Sequence, residues 1–136
     1  MAIYNKFNSF VEALAEGKHN LSADTLKVAL SNALNAPSAS ADAVLADITT
    51  VSVANLGDVT LTVSSSSQTN GTYTLVVTDK TLTATGDVPA FRYIIIYNDT
   101  ATNDELICYF DYTSEVTLAS GDTFKLDFGT ELFSLA

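Results

Sequence analysis

Residues 91–97, FRYIIIY, constrain the fold more than any other segment, because as a strand they are apolar on both sides. Phe91, Tyr93, Ile95 and Tyr97 fall on one face and Ile94 and Ile96 on the other, which is the signature of a central strand covered above and below. The segment opens a longer stretch, 91–128, in which three β-rich runs are separated by two short polar loops. Connections that short join neighbouring antiparallel strands. The last run alternates Phe124, Leu126 and Phe128 with Thr123, Lys125 and Asp127, giving one buried and one wet face, and SGDT at 120–123 supplies its turn.

The amino-terminal part reads differently. Over residues 5–16, Phe7, Phe10, Val11 and Leu14 repeat at helical spacing, Ile3 extends the stripe backwards, and Gly17 stands where a left-handed helix stop falls. Twelve residues make a helix that is marginal alone in water, so its phenylalanine face must dock on the sheet or on another subunit. Residues 25–31 then alternate as a first strand. Residues 32–47 are small and polar around Pro37, with a helical turn at 41–46, and form the longest irregular stretch. Ordering such a loop is entropically expensive, which favours an interaction arm or a surface excursion.

Residues 49–54, 58–64, 71–78 and 82–85 are rich in Val and Thr and read as further strands, with SSSQTNG as a polar link. The sum is a mainly β chain: an antiparallel, jelly-roll-like β-sandwich of about 7–9 strands with one short N-terminal α-helix. It is a single domain, 1–136, in which 1–20 form the helix and its cap and 21–136 the sandwich. A unit of this mass exposes about 6,800 Å² when folded, against about 21,000 Å² unfolded.

Six basic and sixteen acidic side chains give a net charge of −10, a field that repels phosphate backbones and anionic headgroups. The basic residues are scattered and no aromatic stacking motif lies among them, so no direct nucleic-acid contact is expected. No apolar run approaches a membrane span, and the start lacks the features of a secretory signal, so synthesis and action in the cytoplasm are expected.

Catalytic groupings are hard to find. His19, just beyond the helix, is the single histidine and reads as a helix-end or surface residue. Cys108, the single cysteine, sits in an apolar run and reads as a small core side chain. The loop containing Asn98, Asp99, Asn103, Asp104 and Glu105 gathers oxygen ligands without matching an EF-hand, and a solvated hairpin turn is the stronger reading than a Ca²⁺ site. No catalytic residue, metal or cofactor is assigned, and no enzyme activity is expected.

Several segments taken together, NKFNSFVEALAEGKHNL with DTLKVALSN, then VLADIT, SQTNGTYTLVVTD and FRYIIIYNDTATNDELICYFDY ahead of SGDTFKLDF, resemble a family of small tailed-bacteriophage virion structural proteins. The similarity spans nearly the whole chain, although residues 54–58 are shorter here than the Gly-rich insertion that similar proteins carry. The resemblance implies a capsid decoration, or cement, protein on the outside of an assembled shell, with the major capsid protein as partner and a homo-oligomer on the particle. The nominated contacts are the helix face (Phe7, Phe10, Leu14), the loop (Leu34, Pro37, Val44) and the chain end (Leu132, Phe133, Leu135). A tail, neck or baseplate component is the first alternative. The second is a virion-surface carbohydrate-binding module using Tyr73, Tyr109 or Tyr112 as a sugar platform.

Overall fold

The computed structural model describes residues 2–136. Among these residues nine strands and one α-helix follow in the order β1 (Ile3–Lys6), α1 (Asn8–Ala15), β2 (Leu26–Ser31), β3 (Val63–Thr69), β4 (Thr72–Val77), β5 (Lys80–Thr83), β6 (Val88–Asn98), β7 (Leu106–Leu118), β8 (Thr123–Leu126) and β9 (Phe133–Leu135). They form three antiparallel sheets ordered β1-β7-β6-β2, β3-β4-β9 and β5-β8. The mainly β, sandwich-like class and the short N-terminal helix expected from the sequence are what the chain adopts.

β6 is central, paired with β7 on one side and β2 on the other. Ile94 and Ile96 enter the main core with Val28, Leu30, Phe10 and Ile107, while Ile95 faces a smaller cluster with Phe7, Ala29, Ile48 and Leu106. Phe91 departs from the expected face. It joins the main core with Ile94 and Ile96 because the register shifts between Phe91 and Tyr93, where β7 takes five steps, from Asp111 to Val116, against two on β6. That bulge carries Thr113 at φ 71° and re-aims every side chain beyond it. It is anchored by a two-pronged ion pair, Arg92 Nε donating to Asp111 Oδ1 at 2.8 Å and Nη2 to Oδ2 at 3.1 Å. The guanidinium hydrogen bond holds the Asp111 carboxyl below its ordinary range.

The helix is shorter than its stripe suggested. Residues 3–6 pair with β7 instead, and Phe7 continues that pairing by donating to the Ile107 carbonyl at 3.2 Å. Phe7 is the N-cap residue and packs into the smaller cluster, 5.1 Å from Tyr109, while Phe10 points into the main core. An available strand edge outweighs helical propensity over the first turn. The stop is as read: Gly17 adopts φ 77° and donates to Leu14, while Lys18 donates to Ala13, closing the helix with a 6→1 bond.

Residues 49–54 and 58–62 do not form regular strands, and the last two residues of the second run, Val63 and Ser64, open β3. The two irregular segments reduce to isolated bridges, Val51 to Leu30 and Thr60 to Lys27, that cover the otherwise free edge of β2. A 3₁₀ turn at Ala54–Leu56 interrupts them by drawing Leu56 into the core. The serine run expected to be a link is strand β3. It pairs with β4 through a two-residue turn in which Asn70 and Gly71 both have positive φ, 52° and 85°, the geometry that suits a tight hairpin. Its side chains are mostly exposed because it is an edge strand whose partner β4 supplies the buried Leu75 and Val77.

Total accessible surface is 6852 Å², the value expected for a folded chain of this mass, so residues 32–47 add no large extended area.

Candidate functional site

Of the nine nominated contact residues, five are consumed by the fold. Phe7 and Phe10 are fully buried, and Leu132 and Phe133 lie in the core beside β4, where β9 adds a strand to the sheet. Pro37 is also buried, and Leu14, Val44 and Leu135 are half-buried. A side chain already buried inside its own chain has no surface left for a partner, so Phe7, Phe10, Pro37, Leu132 and Phe133 leave the candidate interface, and Leu14, Val44 and Leu135 keep only part of their surface.

Leu34 differs from all of these. It is 93% exposed. Its backbone is nevertheless fixed: Asn32 Oδ1 accepts from the N–H groups of Leu34 and Asn35 at 3.2 and 3.1 Å, capping a 3₁₀ turn over Ala33–Asn35, and Ala33 N–H donates to Glu115 Oε1 at 2.8 Å. The rest of the arm is tied down in the same way. Asn8 donates to Ala39, Leu45 to Asp104 and Leu106 to Ala43, and Asp47 Oδ2 accepts from Ala43 and Val44, bonds that hold its carboxyl below the usual range. A rigid turn thus presents a leucine to solvent, and a structured apolar knob loses little entropy when a partner covers it.

An apolar cleft of about 200 Å³ lies between β7 and β8, walled by Ile94, Phe110, Phe124, Leu126 and Phe128, with Tyr112 at the rim. Tyr112 meets Phe124 edge-on at 5.3 Å. Of the three tyrosines considered for sugar stacking it alone is open, since Tyr73 is engaged with Ser66 at 2.7 Å and Tyr109 packs between Phe7 and Tyr93.

The polar loop expected to be a solvated turn is partly internal. Asn98, 0% exposed at the end of β6, donates through Nδ2 to Asp24 Oδ2 at 2.7 Å and to His19 Nδ1 at 3.0 Å, and accepts through Oδ1 from Thr100 and Ala101. His19 is buried too, its ring 5.2 Å from Phe10, correcting the expectation of a surface residue. The amide orientation fixed by Thr100 and Ala101 makes His19 Nδ1 an acceptor and places the imidazole proton on Nε2. Asp99 turns outward to Lys27 at 3.1 Å, so the loop's oxygens diverge. Among the described residues no three His, Cys, Asp or Glu side chains converge on a metal-holding point. Cys108 is fully buried and its thiol is pushed far up by desolvation, which leaves no thiolate for chemistry.

No protein-family model, curated protein or solved structure matches the chain.

Burial lowers the His19 pKa below 6.5, with Glu105 and Asp24 opposing only in part. The fold therefore holds the neutral ring, and the unfolded chain binds the proton more readily as pH falls through 6.5. Stability is full above that value and declines below it, until His19 also charges in the fold. The depressed carboxyls of Asp47, Asp58 and Asp111 act lower, below 3.8. Urea midpoints measured from pH 7.5 to 5 should fall in the wild type and stay flat in His19→Gln, whatever its starting stability.

Proposed function

We propose that this chain is a tailed-phage virion structural protein that binds the outer surface of the assembled capsid as a decoration or cement protein. The observation that carries this reading on the structural side is the ordered, 93%-exposed Leu34 on an arm that the rest of the chain holds rigid. It joins the family resemblance of the sequence, and the net charge of −10 fits an outer address better than a lumen packed with phosphate. The tail, neck or baseplate alternative shares these features and differs in its assembly, since such components form rings or stacked tubes when purified.

A ligand that binds the assembled shell in preference to free subunits stabilises the shell by linkage, about 2.7 kcal/mol per site at a hundred times its Kd. Many symmetry-related sites then act together. Adding the purified protein to undecorated shells should raise their disassembly temperature, and no rise at saturation refutes the reading. Leu34→Asp should leave the isolated chain's stability within about 0.5 kcal/mol, because the side chain touches little of its own protein. Losing a buried leucine worth about 1.5–3 kcal/mol should weaken shell binding by about ten- to a hundredfold in co-sedimentation.

A further inference from the structure

A cleft of about 500 Å³ opens beside the buried polar cluster, its lining including Lys18, Asn20, Asp24, Thr102, Asn103 and Glu105. Glu105 is 6% exposed, yet its Oε2 has no hydrogen-bond partner. Its position is not accidental slack. The Glu105 backbone pairs with Val44 and its carbonyl accepts from Asn98 N–H at 3.0 Å, so the main chain that carries the carboxylate is held on two sides. Asp24 is held through its side chain, its Oδ2 accepting from Asn20 N–H at 2.8 Å and from Asn98 Nδ2 at 2.7 Å. Lys18, the cation of the lining, is engaged with Glu16 at 3.5 Å.

We propose that this cleft binds a guanidinium or alkylammonium group, with Glu105 as its principal acceptor and Asp24 as its second anion. A buried carboxylate oxygen without a partner is costly and calls for a cation that brings its own N–H donors. A bare metal ion fits less well, because His19, Asp24 and Glu105 do not converge as a ligand set and the space exceeds one coordination shell. The wall of amide and hydroxyl oxygens suits a planar, multi-donor head, and the Asp24 carboxylate and the Glu105 backbone are already fixed before it arrives.

The test is an NMR titration of the full chain with N-acetyl-arginine methylamide, N-acetyl-norleucine methylamide and CaCl₂ in parallel. Saturable shifts confined to amides of residues 17–24 and 100–105, produced by the arginine compound and not by its uncharged counterpart, are expected. Glu105→Gln, close in shape, should weaken that binding by about tenfold or more. A short peptide with one central arginine identifies the source of the group: tighter binding than the free compound assigns it to a partner polypeptide, equal binding to a small molecule. Absence of saturable shifts in the wild type overturns the proposal. So do shifts spread over the acidic surface and unchanged in Glu105→Gln, or saturation by Ca²⁺ alone.

Discussion

Deleting residues 132–136 is expected to remove about 5 kcal/mol or more of folding stability, comparable with the whole stability of a small domain. The segment is short, but Leu132 and Phe133 are 5% and 6% exposed, and Phe133 packs edge-on against Phe10 at 5.3 Å and at a tilt against Tyr73 at 6.2 Å. Its backbone closes the open side of β4, with Leu132 N–H bonded to the Leu75 carbonyl at 2.8 Å and pairing from Leu75–Phe133 to Tyr73–Leu135. Removing it strips two large side chains from the core and re-exposes an apolar strand edge. Urea denaturation followed by tyrosine fluorescence should show a collapse of the midpoint, while Leu135→Ala, at a half-buried site, should cost far less. A truncated chain that keeps its midpoint and loses only partner binding would restore the tail as a docking element.

That result bears on what the sequence could show. Strands β4 and β6 were legible because their burial follows from alternation or from apolar residues on both faces, properties local to the segment. The terminal LFSLA carried the same apolar signal without stating its partner: a chain end can cover a subunit or its own sheet, and the pairing with β4 is a contact across about sixty residues. The serine run hid β3 because an edge strand needs no apolar face of its own. The Asn70-Gly71 turn was the signal that would have found it. The irregular segments 49–54 and 58–62 were overread from Val and Thr content, since β propensity states only that a residue fits a half-buried pleated surface. Their brief bridging to β2 depends on where Leu56 anchors.

The candidate sites were less legible still. Leu34 was nominated as one of several loop residues, and only the capping bonds of Asn32 and the reach of Glu115 distinguish a fixed, exposed leucine from a floppy one. Glu105 and Asn98 looked like the ordinary polar complement of a hairpin turn. Their burial follows from the long-range approach of residues 19–24, which no spacing in 98–105 encodes. Lone polar residues in a strand-to-turn transition thus carry opposite roles in one loop: Asp99 is held at the surface by Lys27, while its neighbour Asn98 is the hub of the interior.

That hub makes Asn98→Asp the most demanding single substitution. The two side chains are nearly the same shape, so packing is unchanged and the effect isolates charge and donor capacity. Nδ2 donates at once to Asp24 and His19; a carboxylate in its place turns both contacts into acceptor against acceptor and sets a second negative charge 2.7 Å from Asp24. At pH 7 the variant should lose about 3–5 kcal/mol, the usual consequence of a buried charge without a partner. The introduced carboxyl can be accommodated only with a proton, so its folded pKa rises above the unfolded value of about 3.9 and the penalty shrinks as pH falls. The wild type moves the other way over pH 6.5 to 5 because neutral His19 is disfavoured by acid. The two urea-midpoint curves should therefore converge on acidification. Asn98→Ala, which loses the same donors and introduces no charge, should be destabilised without that convergence. A gap between Asn98→Asp and the wild type that is below about 1 kcal/mol, or that does not change from pH 7 to 4.5, would mean that Asn98 does not hold the Asp24 and His19 contacts together.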